Sequence, residues 1–202
     1  EGFVHIKQVA SELYDQLQEV MESGVKRQNI KTGLSGIDLM TCGLPDGLTV
    51  IGARPSQGKT SLLLQIARHN PVTAAMFSLE TTAHALVRRL IIAKSDITSY
   101  QLRTGDIDDS QAQTVCRVIN GLHSVDLHIY DKPVDITRLT AMAKRMALQY
   151  GIKALLIDYL QLIKPPKGKQ TVREQEVAAV ARGLKDLSQE LHIPIIVAAQ
   201  LK

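Results

Sequence analysis

The chain has 202 residues, with 24 Lys and Arg against 20 Asp and Glu and a formal charge of +4. That length excludes two domains of ordinary size, and the mild basic excess is compatible with a polyanionic partner without defining one. No apolar run approaches the roughly 20 residues that cross a bilayer and no signal peptide precedes the first helix. Cys42 and Cys116 are too few and too far apart for a disulfide framework or a zinc site, so a reducing, cytosolic setting is the default. The chain begins at Glu1 rather than Met, which leads to the expectation of a fragment or a processed product.

From the amino end, residues 5–21, HIKQVASELYDQLQEVM, set Ile6, Ala10, Leu13, Leu17 and Val20 along one face of a helix, at alternating spacings of four and three. The polar stretch ESGVKRQNIKTG that follows contains Gly24 and reads as a linker. The stripe therefore either covers its own domain or, with the reach the linker allows, docks on a neighbouring subunit.

From residue 48 onward apolar runs alternate with amphipathic stretches, the pattern of a parallel sheet crossed by helices on both faces. Strands are expected at 48–52, 73–80, 125–131, 153–163 (with its exit) and 194–200. A helix starts near Gly58, and another follows the second strand to about Ala93. Asp109 or Ser110 caps a helix carrying Ala112, Val115 and Ile119, with Gly121 suited to its end. Asp135 caps a helix carrying Leu139, Met142 and Met146 that stops at Gly151, and a polar loop, 164–172, precedes a long helix to about Leu191.

The stretch GARPSQGKTS, 52–61, is where chemistry enters. A strand runs into a glycine-containing loop, and Gly58, Lys59 and Thr60 open a helix. Such a loop and first turn leave backbone amides unpaired at the positive helix end, which suits the β-phosphate of a nucleotide. Lys59 adds a mobile charge for the β- and γ-phosphates, and the Thr60 hydroxyl can ligate Mg²⁺. Ala53 stands where the simplest pattern has glycine, and its methyl adds little bulk. Ala53, Arg54, Pro55, Ser56, Gln57, Gly58, Lys59, Thr60 and Ser61 are the expected nucleotide-contacting residues. Asp158 ends the apolar run ALLI, at the carboxyl edge of a buried strand where ligands of open α/β sheets sit, and suits the water shell of Mg²⁺. Glu80 ends the strand after the cradle helix and can orient or deprotonate the attacking water, while Gln200 ends the fifth strand, where an amide can sense the γ-phosphate.

With these residues assembled, the chain resembles the RecA-type ATPase domain of the DnaB family of hexameric replicative DNA helicases over roughly residues 31–201. The resemblance rests on TGLSGIDLMTCGL, GARPSQGKT, FSLE, LRTGDIDD, IDYLQLI and REQEVAAVARGLKDLSQELHIPIIVAAQL. Recombinases and clock-type ATPases of the same fold share the cradle and both carboxylates but lack the combination of Ala-Arg-Pro-Ser, Leu-Arg-Thr-Gly and Asp-Tyr-Leu-Gln-Leu. The resemblance implies a RecA-like P-loop core with strand order 48–52, 194–200, 154–158, 74–79, 125–131, all parallel. It divides the chain into a linker helix and connector (1–30) and an ATPase domain (31–202).

It also implies a ring of six subunits held through helix 5–21, ATP and Mg²⁺ at the interfaces, and single-stranded DNA in the channel. Translocation would run toward the 3′ end of that strand. A helicase loader and primase are implied partners, no membrane is, and the setting is a cytoplasmic bacterial or phage replisome. By similarity Lys59, Glu80 and Gln200 are catalytic and Thr60 and Asp158 serve the metal. Arg89 falls on a family arginine whose role chemistry does not assign. Lys164, Lys167, Lys169 and Arg173, in or beside the polar loop, read either as a solvated surface or as phosphate contacts blind to base sequence. The family's main DNA loop and arginine finger are expected beyond Lys202, so residues 1–202 alone are expected to hydrolyse ATP slowly. A recombination ATPase and a nucleotide-binding assembly module without efficient hydrolysis are the competing readings; the paired carboxylates argue against the second.

Overall fold

Five apolar runs pair into one sheet in the computed structural model, which describes residues 4–23, 29–165 and 172–201. The strands are β1 (Gly47–Ala53), β2 (Ala74–Ser78), β3 (Leu127–Tyr130), β4 (Ala154–Asp158) and β5 (Pro194–Gln200). Their order is β1-β5-β4-β2-β3 and every pairing is parallel, as expected. The helices are α1 (Ile6–Ser23), α2 (Ser35–Thr41), α3 (Lys59–His69), α4 (Ala83–Ser95), α5 (Ser99–Thr104), α6 (Asp109–Leu122), α7 (Ile136–Tyr150) and α8 (Arg173–Leu191), with a 3-10 turn at Leu160–Leu162.

The period-two alternation of the strands divides the core. Phe77, Leu155, Ile157, Ile195 and Val197 meet α7 and α8 through Leu139, Ala143, Val180 and Leu184. Met76, Ala154, Leu156, Ile196 and Ala198 face the other way and meet α3 through Leu63, Ile66 and Ala67. Because both faces are covered, β4 and β5 read in sequence as unbroken apolar runs. Leu63, Leu139, Leu155, Leu156, Leu184 and Ile195 are fully buried, each contributing about 1.5–3 kcal/mol relative to an exposed side chain. These inner strands bring the carboxyl ends of β1, β4 and β5 to one side of the sheet, with β1 and β5 running past the end of β4.

Several boundaries differ from expectation for local reasons. β2 stops at Ser78 rather than Glu80: the Leu79 amide makes the last ladder bond, to the Asp158 carbonyl at 2.7 Å, β4 itself ends at Asp158, and the Ser78 hydroxyl donates to the Thr81 carbonyl where the chain turns. α6 is capped by Asp108, not Asp109 or Ser110: Asp108 and Gln111 form a reciprocal capping box, and Gly121 lies inside the helix. α2 and α5 are too short to show a helical period in sequence. Asp135 and Gly151 cap α7 as expected.

Along α1, Ile6, Leu13 and Leu17 are 79%, 54% and 62% exposed. Nothing among the described residues covers this stripe. The Val20 side chain, Gly24 with most of the connector, and Lys167 and Lys169 lie outside the described residues.

Candidate nucleotide site

β1 ends at Ala53, in register with Gln200, and the chain turns through Arg54, Pro55, Ser56 and Gln57 into α3. Gln57 closes the loop by accepting the Arg54 amide at 3.3 Å. Ser56 and Gly58 take left-handed φ values of 60° and 83°. A Cβ on Gly58 would meet nothing within 4 Å, so the position requires glycine for its backbone angle and not for packing inside the chain. Thr82, Thr98, Asp108 and Asp135 cap α4 to α7 with their side chains, whereas Gly58 gives α3 none. The first-turn amides of α3, those of Lys59, Thr60 and Ser61, thus sit at the positive helix end without a side-chain cap, where an anion is favoured. Lys59 is buried, and its Nζ donates to the carbonyls of Ala53 at 3.2 Å and Arg54 at 3.0 Å.

Asp158 is fully buried at the end of β4. Its Oδ2 accepts the Thr60 hydroxyl at 2.6 Å, while its Oδ1 is buried with no partner among the described residues. A buried carboxylate oxygen without a donor is costly. A hydrated divalent cation is the group whose chemistry satisfies it, and the adjacent hydroxyl oxygen is of the hard type such a cation takes. Among the described residues no cluster of three or more His, Cys, Asp or Glu has metal-binding geometry, so any cation here would be held by these two oxygens together with ligand oxygens and water.

Ser78 is in register with Asp158, which brings the end of β2 beside the end of β4. Glu80 follows two residues later, exposed and without an ion-pair partner among the described residues. Its turn is held at both ends, by the Leu79 amide on the Asp158 carbonyl and by the Ala83 amide on Asp131 at 2.9 Å. Gln200 is exposed at the end of β5. Thus Ala53, Lys59, Thr60, Asp158, Glu80 and Gln200 gather at one edge of the sheet. The other candidates do not join them there: Lys164 is exposed, its backbone bonded to Val134 and Ile136, and Arg173 is committed to Glu176 at 3.2 Å and to the Gln161 carbonyl at 2.6 Å. Arg89 is exposed on α4, and nothing in the structure gives it a role.

Two features escaped the sequence reading. Gln161 bonds the Gln200 backbone through both ends of its carboxamide, and its signal was a lone amide in the apolar IDYLQLI run. Asp38 accepts from the Thr32 amide, the Thr32 hydroxyl and the Gly33 amide at 2.7, 2.8 and 3.0 Å. Burial resists its charge, yet these hydrogen bonds and the nearby His69 hold its carboxyl below the ordinary value of 3.8. Gln65 of α3 donates to the Gly33 carbonyl at 3.1 Å, so this knot buttresses the helix that carries the cradle.

A family model, the DnaB-like helicase C-terminal domain, matches residues 29–202. The chain belongs to that family. It is 33% identical to the replicative DNA helicase DnaC of Bacillus subtilis, covering 99% of this chain and 45% of that protein. It is 35% identical to the replicative DNA helicase DnaB of Helicobacter pylori, covering 100% of this chain and 42% of that protein. The chain therefore spans less than half the length of these curated relatives. A solved DnaB-like replicative helicase, described with its primase interactions, superposes with a TM-score of 0.83 at 23% identity, over 100% of this chain and 49% of that one. That likeness shows the RecA-like fold. No helix among the described residues is long and apolar enough to cross a membrane.

Proposed function

We propose that residues 31–202 form the ATP-hydrolysing motor domain of a replicative DNA helicase, with residues 1–30 as the linker helix and connector that join it to a neighbouring subunit of a hexameric ring. The observation that carries the reading is the pairing of the Thr60 hydroxyl with Asp158, whose second oxygen is buried and unsatisfied, directly beside the uncapped start of α3. In this reading the loop from Ala53 to Ser61 cradles the β-phosphate, and Lys59 exchanges its loop carbonyls for phosphate oxygens. Thr60 and Asp158 would hold a Mg²⁺ ion, which when bound neutralises charge on the β- and γ-phosphates. Glu80 accepts a proton from the attacking water as its oxygen bonds to the γ-phosphorus and the bond to ADP breaks. Gln200 senses whether the γ-phosphate is present. Single-stranded DNA is the track, contacted through Lys164, Lys167 and Lys169, and through Arg173 once it exchanges Glu176 and the Gln161 carbonyl for phosphate; such charges carry no base preference. Primase and a loader are the proposed protein partners, in a cytoplasmic replisome.

Strand displacement from a forked duplex tests this. The full-length protein that carries this chain should separate the strands only with ATP, and Glu80→Gln should abolish displacement while leaving ATP binding within a few-fold. ATP-independent displacement, or full displacement by the variant, contradicts the reading.

A further inference from the structure

β4 and β5 pair only as far as Ile157 and Val197, because past Asp158 the chain leaves the sheet for the 3-10 turn at Leu160–Leu162. β5 runs on to Gln200, and there the β4-facing edge of its backbone has no strand beside it. The Gln161 carboxamide fills the place: its Nε2 donates to the Gln200 carbonyl at 3.0 Å and its Oε1 accepts the Gln200 amide at 3.1 Å. A primary carboxamide presents donor and acceptor side by side as a peptide does, so one side chain extends the ladder by one residue. On the opposite edge the Leu201 amide donates to the Ala53 carbonyl at 3.0 Å, and that same carbonyl accepts from Lys59 Nζ at 3.2 Å. Behind Gln161, the Arg173 guanidinium donates to its backbone carbonyl at 2.6 Å.

We infer that Gln161 is the positioning residue for Gln200: by clamping the Gln200 peptide against the sheet it sets where that side chain stands beside Ala53 and Lys59, and thereby how well the site distinguishes a nucleoside triphosphate from a diphosphate. The inference rests on the reading of Gln200 as the γ-phosphate sensor. Gln161 need not touch the nucleotide; it acts through the backbone of the residue that does.

The test is the ratio of dissociation constants for ADP and a non-hydrolysable ATP analogue, measured with Mg²⁺ for the unmodified protein, Gln161→Met, Gln200→Ala and the double variant. Gln161→Met removes both hydrogen bonds to the Gln200 backbone and should lower the preference for the triphosphate by roughly five- to tenfold, the low end of what two such bonds contribute. The double variant should be no worse than Gln200→Ala alone, because the two residues act in series. A structural role alone would lower both affinities together and leave the ratio fixed, and that result overturns the inference. So does an additive double variant. If Gln200→Ala leaves the ratio unchanged, the sensor reading itself fails and this inference with it, an outcome distinct from a Gln161 failure. Should Gln161→Met not fold, Gln161→Glu, which keeps the acceptor and loses the donor, is judged by the same ratio.

Discussion

At the scale of single residues, the molecule separates groups that are satisfied within the fold from groups that are not. Asp38 is of the first kind, with three donors on one carboxylate. Because its folded pKa lies below 3.8, the ionised form favours the folded state. That contribution is fully present above the unfolded value and is lost as pH falls through the lowered folded value. Asp38→Asn should therefore lower the melting temperature at neutral pH, and the gap from the unmodified protein should close as melts are repeated below the carboxylate range. A gap constant from pH 7 to pH 3 would refute this. Asp158 is of the second kind: Oδ1 is buried and unpartnered. Asp158→Asn should leave the melting temperature unchanged or raised, since the unsatisfied charge is gone, while ATP turnover falls by at least ~10², the scale of losing a group that serves the reacting phosphate. Lower stability with unchanged turnover would make Asp158 a structural residue only.

At the scale of elements, the sheet was legible because its chemistry repeats. Runs such as ALLI and PIIVAA, each closed by one polar residue, are apolar throughout as doubly covered strands are, and Asp135 and Gly151 punctuate α7 as isolated caps do. Glu80's strand looked two residues too long because Leu79 continues the apolar pattern past the point where the partner strand β4 ends at Asp158. The cradle was legible because its residues are contiguous. The Gln161 clamp was not, since its partner is 39 positions away and a lone amide in an apolar run does not say which residue it bonds. The proposed role of α1, docking on a neighbouring subunit, draws on its exposed stripe. Leu13→Ser with Leu17→Ser removes apolar side chains that are already exposed, so the fold should melt as before while subunit association is lost. Sedimentation at matched concentration reads this directly, and an unchanged oligomer would remove α1 from the interface.

At the scale of the whole molecule, one edge of a rigid sheet collects residues from β1, β4 and β5 and from the turn after β2, and each is held there by bonds to another: Ala53 to Leu201 and Lys59, Thr60 to Asp158, Leu79 to Asp158, Gln200 to Gln161. Fold and family membership follow from the sheet order and the match to residues 29–202. In the proposed division of labour at that edge, Lys59 binds the nucleotide, whereas Glu80 acts only on the water. Equilibrium titration of this chain with Mg²⁺ and ATP separates the two most directly. Lys59→Ala, which removes a charge from the phosphates, should weaken binding by at least ~10-fold, and Glu80→Gln should stay within about threefold of the unmodified chain, as expected of a group that only takes a proton. Equal affinity for all three, or a loss in Glu80→Gln as large as that in Lys59→Ala, would contradict the account.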